Sequence, residues 1–235
     1  MTDAIEHYAA SHAGAVRTVN QDAWLCRPEI GLFAVADGVG GHGHGEVASQ
    51  KVVAALNHIP ASLPPEARIT AVRDSLQSAH RALLEDAETP IGAQASTVVV
   101  LMLHGDHFAC LWAGDSRAYL LRDGQLCRLT SDHSVVQDLI TAGAITEAEA
   151  ELDPRRHVIT RAVGAGEAEL PIDKAVGLTM PGDRFLLCSD GLYKMLEPDE
   201  VAEMLSGPGD VARALLEVAL ARRARDNVTV VFAAP

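Results

Sequence analysis

TVVVLMLHGDHFACLWAGDSRAYLLRDGQLCRL, residues 97–129, is the stretch on which the fold class turns. Three strand-like runs follow one another closely: Thr97–Leu103, His107–Ala113 and Arg117–Leu121. Gly105-Asp106 is a turn signal between the first two. Arg122-Asp123-Gly124 turns the third back into a fourth run, Gln125–Leu129. Upstream, Ala23–Cys26 and Leu32–Ala36 read as strands and Glu46–Leu56 as a helix. A second helix, from about Ala67 to Leu84, carries Val72, Leu76, Ala79 and Leu83 on one face. Pro60–Pro65 is a short connection between these helices. Downstream, Ser134–Ala142 reads as a helix and Arg184–Cys188 as a strand. The polar segment 145–166, with Pro154 and two glycines, is expected to form a mobile flap. Glu197–Leu205 and Gly209–Arg223 are helical, the latter with Val211, Leu215 and Val218 in phase, and Val228–Phe232 closes the chain as a strand. Hairpin-linked strands beside helix pairs favour an α+β layered fold over a doubly wound parallel sheet. With no repeat or low-complexity tract, residues 1–235 read as one domain.

Composition narrows the function classes. Hydrophobic residues make up 48% and charged residues 22%, ordinary for a globular chain. Aromatics are only 4%, so Val, Leu, Ile and Ala must build the core. A net charge of −13 repels a phosphate backbone and argues against nucleic acid as a partner. The four cysteines, Cys26, Cys110, Cys127 and Cys188, form no C-x-x-C pair and are expected as buried free thiols. The N-terminus shows no secretory pattern and no apolar run is long enough to span a bilayer. The expectation is a cytoplasmic protein with no membrane association.

Five aspartates share one setting. Asp22 precedes a predicted strand, Asp37 ends one, Asp115 follows one, Asp190 ends one and Asp226 precedes the last. If these strand ends meet at one rim, the carboxylates converge and repel one another until cations neutralise them. Oxygen-only ligands suit hard ions such as Mg²⁺ and Mn²⁺, and two such ions can activate a shared water as nucleophile. Taken singly, each aspartate also fits a plain turn, as Asp123-Gly124 does.

The words around the aspartates bind them together. Arg17-Thr18-Val19-Asn20-Gln21-Asp22-Ala23 resembles the R-x-x-N-E/Q-D-A opening of the bacterial metal-dependent protein phosphatases, the PPM or type 2C family. Val35-Ala36-Asp37-Gly38-Val39-Gly40-Gly41-His42 is similar to V-x-D-G-M/V-G-G-H, and Gly45-Glu46-Val47-Ala48-Ser49 to G-E-x-A-S. Gly114-Asp115-Ser116-Arg117 resembles G-D-S-R, and Leu129-Thr130-Ser131-Asp132-His133-Ser134 resembles L-T-x-D-H-S. Leu187–Leu192 resembles L-x-S-D-G-L, and Asp226-Asn227-Val228-Thr229 resembles D-N-I/V-T. The motifs occur in the family's order and span residues 17 to 229.

The resemblance implies a four-layer α-β-β-α sandwich, a central antiparallel β-sandwich flanked by helix pairs. It implies hydrolysis of phosphoserine and phosphothreonine on proteins by a metal-bridging water, opposing a Ser/Thr kinase. Asp37 would bridge two Mn²⁺ or Mg²⁺ ions. Asp190 and Asp226 would complete one site, Asp22 and the Gly38 carbonyl the other. Asp115 with Asp190 would form a weaker third site. Arg17 would hold phosphate oxygens with its planar fork. His42 is a candidate general acid, His44 loop surface, and His133 an organiser of the loop after Leu129. Arg161 either orders the flap, touches substrate or makes a structural salt bridge. Gln21 stands where many relatives have glutamate, and Val39 where some have a histidine. The implied partners are a phosphoprotein and a cognate kinase, with the chain a monomer. By analogy with the family, a chain this short fits a phosphatase encoded beside a kinase, for instance one controlling secretion or cell-wall growth. The alternatives are a partner-switching phosphatase of an anti-sigma antagonist, or a pseudophosphatase binding module.

Overall fold

The computed structural model describes residues 5–39, 45–87 and 94–235. Its strands are β1 (Glu6–His12), β2 (Asp22–Arg27), β3 (Leu32–Val39), the short β4 (Ala95–Ser96), β5 (Val98–His104), β6 (His107–Ala113), β7 (Arg117–Arg122), β8 (Gln125–Arg128), β9 (Asp173–Leu178), β10 (Arg184–Cys188) and β11 (Val228–Ala234). Its helices are α1 (Gly45–Asn57), α2 (Pro65–Ala87), α3 (Val135–Thr141), α4 (Glu147–Leu152), α5 (Asp190–Tyr193), α6 (Pro198–Leu205) and α7 (Val211–Ala221). One sheet runs β1-β11-β10-β7-β8 and the other β2-β3-β5-β6-β9, with β4 beside β3. The pairings within both are antiparallel.

Strand alternation produces the layers. In β3, Phe33 and Val35 face one way while Leu32, Ala34 and Ala36 face the other. Phe33 and Val35 join Val99, Leu101, Cys110 and Trp112 against Phe185, Leu187, Val231 and Ala233 of the opposite sheet. That is the inter-sheet core, with the Phe108 and Phe185 rings 5.2 Å apart. The outer face of the β3 sheet packs on Val52 and Leu56 of α1 and Val72, Leu76 and Leu83 of α2. The outer face of the β10 sheet packs on Val201 and Leu205 of α6 and Val211 and Leu215 of α7. The result is the expected α-β-β-α order.

Some details depart from the sequence reading. β1 and β9 carry no strong strand signal, yet β1 pairs along its whole length with β11, from Glu6↔Ala234 to His12↔Val228. A partner edge supplies what propensity does not. The expected flap, 145–166, is not featureless. Thr146 and Glu149 form a reciprocal capping box that starts α4. Bridges Ser134↔Ile159 and Ser96↔Val163 tie the later part of the segment to the body. Cys110 and Cys188 are buried and Cys26 half-buried, but Cys127 is exposed because β8 is an edge strand. Asp123 and Gly124 take φ of 51° and 75°, the left-handed pair of a tight hairpin, so the turn reading of Asp123 holds. Among the described residues no helix is long and apolar enough to cross a membrane.

Candidate metal centre

The register between β2 and β3 sets Asp22 directly opposite Asp37. Asp37 lies two residues beyond Val35, so alternation keeps it on the inter-sheet face, at the rim where the apolar core ends. Like charges directly opposed on a sheet destabilise it unless something compensates. Compensation for the backbone is plain. Thr97 N–H donates to the Asp37 carbonyl at 2.9 Å, Ser96 Oγ donates to the same carbonyl at 3.0 Å, and Asp37 N–H donates to Thr97 Oγ1 at 3.2 Å. Thr97 Oγ1 in turn lies 2.7 Å from Ser116 Oγ. The Asp37 backbone is thus clamped, and its carboxylate is left to the rim.

The opposite sheet brings the rest. Ser189, just after β10, donates from Oγ to Asp22 Oδ2 at 2.7 Å and accepts the Thr229 N–H at 2.9 Å. Asp190 follows it as the first residue of α5, and Asp226 sits two residues before β11. Asn227 pins the incoming loop: its Oδ1 accepts the Gln21 N–H at 2.8 Å, and its Nδ2 donates to the Ala13 and Val19 carbonyls at 3.0 Å each. Asp115 follows β6, and its carbonyl accepts the Tyr193 hydroxyl at 3.2 Å.

The electrostatics carry the mark of crowded carboxylates. Asp37 is raised well above the usual carboxylate range, first by burial and then by Asp22, Asp190, Asp115 and Asp226. Asp22 is raised to about 7 by burial, partly offset by hydrogen bonds from Ser189 and Thr229. Burial, then Asp190, raises Asp115 to about 6. Two cationic side chains reach the cluster: Arg17 Nε and Nη2 bind the two Asp226 oxygens at 3.1 Å each, and Lys194 binds Asp190.

A hard divalent cation fits this arrangement. The donors are all oxygens, and Asp22 Oδ1 is buried without a hydrogen-bond partner. At Gly38 a Cβ would run into the Gly45 carbonyl and the Gln21 backbone, so the chain passes the site with no room for a side chain. Among the described residues no group of three or more His, Cys, Asp or Glu side chains is drawn together into a ready cage. Asp190 is turned to Lys194 and Asp226 to Arg17. Mg²⁺ and Mn²⁺ keep several waters and need few protein ligands each, so a complete cage is not required.

The structure therefore gathers Asp22, Asp37, Asp115, Asp190 and Asp226 at one rim with Arg17 at its mouth. Gly38 lies beside them on β3, against Gly45 of α1. His42 and His44 lie outside the described residues. His133 is buried, accepts the Gly114 N–H at Nδ1 (3.0 Å) and stacks on Trp112, which fits loop organisation. Burial and the Arg161 charge lower its pKa. Arg161 binds Asp173 at 2.7 Å and lies 2.9 Å from His133 Nε2, so a salt bridge is formed. The sequence reading missed Ser96, Thr97, Ser189, Asn227 and Lys194. Asn227 and Ser189 stood inside motifs that pointed to their aspartate neighbours. Ser96 and Thr97 had no local signal, because their role comes from a strand distant in sequence. A cavity of about 800 Å³ opens beside Asp115, Tyr193 and Lys194, between α3, α4 and the start of α6.

The sequence model of the family described as Protein phosphatase 2C matches residues 10–223. The serine/threonine protein phosphatase PstP of Mycobacterium tuberculosis is 36% identical over 237 residues, covering 99% of this chain and 45% of that protein. The chain thus spans about half the length of that curated relative. A solved structure described as PppA, a key regulatory component of T6SS in Pseudomonas aeruginosa, superimposes with a TM-score of 0.88 at 40% identity, covering 97% of this chain and 96% of the other. The catalytic domain of PstP in complex with two manganese ions superimposes with a TM-score of 0.86 at 36% identity, covering 97% of each chain.

Proposed function

The chain belongs to the protein phosphatase 2C family, and from that premise we propose that it removes phosphate from phosphoserine and phosphothreonine in protein substrates with the help of Mn²⁺ or Mg²⁺. The observation that carries the reading is the opposed pair Asp22 and Asp37 at a buried rim, with Asp190 and Asp226 brought to it from the other sheet. Asp37, Asp190 and Asp226 would hold one ion, and Asp37, Asp22 and the Gly38 carbonyl a second. When bound, a pair of divalent cations supplies charge neutralisation and an activated water as nucleophile.

The chain's own residues do the rest. Arg17 is exposed at the mouth, with its fork already aimed at the carboxylate rim through Asp226. A planar fork that matches two carboxylate oxygens matches two phosphate oxygens equally well. Charge spread over the equatorial oxygens during transfer strengthens that contact, so Arg17 serves the transition state as well as binding. Ser189 orients Asp22, while Ser96 and Thr97 fix the backbone of Asp37. No serine nucleophile is called for, because Ser116 and Ser189 are both buried and both committed to internal hydrogen bonds. His42 remains the proposed donor of a proton to the leaving oxygen. A kinase whose products this chain reverses, action as a monomer and a cytoplasmic setting belong to the same proposal.

The test is hydrolysis of p-nitrophenyl phosphate by the purified chain with Mn²⁺ and after chelation. Hydrolysis with Mn²⁺ that disappears on chelation supports the reading; hydrolysis that survives complete chelation contradicts it. A missing ligand aspartate would favour a pseudophosphatase, and the sequence carries Asp22, Asp37, Asp190 and Asp226.

A further inference from the structure

Lys194 stands one helical turn after Asp190, at the C-cap of α5, with its N–H donated to the Asp190 carbonyl. That spacing points its side chain back onto the Asp190 side chain, and its ammonium binds that carboxylate. The same ammonium lies 3.4 Å from His157 Nδ1, in the segment after α4. Asp115 and Lys194 also line the same cavity. One fixed cation therefore stands beside both carboxylates that the family resemblance assigns to a third ion.

The contrast with the other end of the cluster is informative. Among the described residues, Asp22 and Asp37 have no ion pair, and Asp22 keeps a buried oxygen without a partner. That end needs an external cation, whereas the Asp115–Asp190 end already has one. A divalent ion entering there would have to displace the ammonium from Asp190, or bind within a few ångströms of a like charge. Resting on the two-ion reading above, we infer that Lys194 takes the place of the third cation, so that the chain saturates with two divalent ions. The Asp115 side is then held together by an ammonium that does not depend on metal concentration, and this ammonium also links the rim to the segment after α4 through His157.

The test is equilibrium dialysis of the whole chain against rising Mn²⁺, with bound metal counted by elemental analysis. The wild type is expected to reach two ions per chain. Lys194→Gln is expected to take a third, with an affinity roughly tenfold or more above any third binding in the wild type. Lys194→Arg keeps the cation and should stay at two. Lys194 has a partly exposed side chain, so the fold should tolerate these changes. Lys194→Met, of similar length without charge, is the second variant should Lys194→Gln fail to fold. Equal third-ion affinity in the wild type and the neutral variants would overturn the inference. A wild type that binds one ion or none would overturn the two-ion reading beneath it, an outcome with a different count.

Discussion

Asp37 shows how a single residue acquires a role from its surroundings. By itself it is one Asp-Gly of several, and Asp123 has the same dipeptide in a plain hairpin turn with a left-handed φ. What separates them is the neighbour across the strand. Asp22 opposes Asp37, and burial with repulsion from neighbouring carboxylates raises both above the usual carboxylate range. This has a pH consequence for the metal-free protein. A carboxyl whose pKa is higher folded than unfolded holds more protons in the folded state between the two values, so stability is lost as pH rises through that window. For Asp22 the window runs from the ordinary carboxylate value of 3.8 to about 7. Thermal unfolding of the metal-free chain should therefore show a higher Tm at pH 5 than at pH 7.5, with the difference shrinking or reversing when Mn²⁺ is added. A metal-free Tm that climbs steadily over that range would contradict the assigned crowding. Arg17 makes a separate prediction. Removing its fork in Arg17→Ala should lower kcat/KM for a phosphopeptide roughly a hundredfold, with kcat falling as well as KM rising. A change in KM alone would reduce Arg17 to a binding contact.

At the scale of elements, the site depends on close apposition of backbone. β3 runs past the N-terminus of α1 so closely that a Cβ on Gly38 would meet the Gly45 carbonyl, and one on Gly45 would meet the Gly38 carbonyl. Gly38→Ala must push β3 and α1 apart, so it should lower Tm and weaken Mn²⁺ binding together, by dialysis on the order of tenfold or more. Unchanged metal affinity would show that the β3–α1 junction does not shape the site. Much at this scale was legible in the sequence. The runs of residues 97–129 gave β5 to β8 nearly to their ends, because hairpin signals and apolar fill agree there. β1 was illegible for a physical reason: its Glu-His-Tyr-Ala-Ala-Ser-His sequence is poor in β-branched residues, and only the β11 edge makes it a strand. α4 was hidden inside a polar segment, although its Thr146 and Glu149 capping box was there to be read. The aspartates were legible as a set through their motifs, while their supports Ser96 and Thr97 were not, since hydrogen bonds across sixty residues leave no local pattern.

The whole molecule is a stack whose middle layer positions its rim. Phe185, Leu187, Phe33 and Val35 fill the space between the sheets, and the carboxylates stand where that filling stops. Leu187 is fully buried and lies two residues before Ser189, so Leu187→Ala should cost about 3 kcal/mol of stability. Chemical denaturation would report that loss. The surviving folded fraction is expected to keep its metal affinity to within a few-fold, because the proposed ligands sit at the rim rather than in the filling. A net charge of −13 concentrates cations and repels polyanions, which suits the metal site proposed at the rim. The central claim is that the rim around Asp37 is a metal-dependent phosphatase centre. The most direct test is the rate of phosphate release from a phosphothreonine peptide in Mn²⁺, measured side by side for wild type and Asp37→Asn, with both shown to be folded by circular dichroism. Steady release is expected from the wild type, and a loss of roughly a thousandfold or more in Asp37→Asn. Release by Asp37→Asn at a rate near that of the wild type would contradict it.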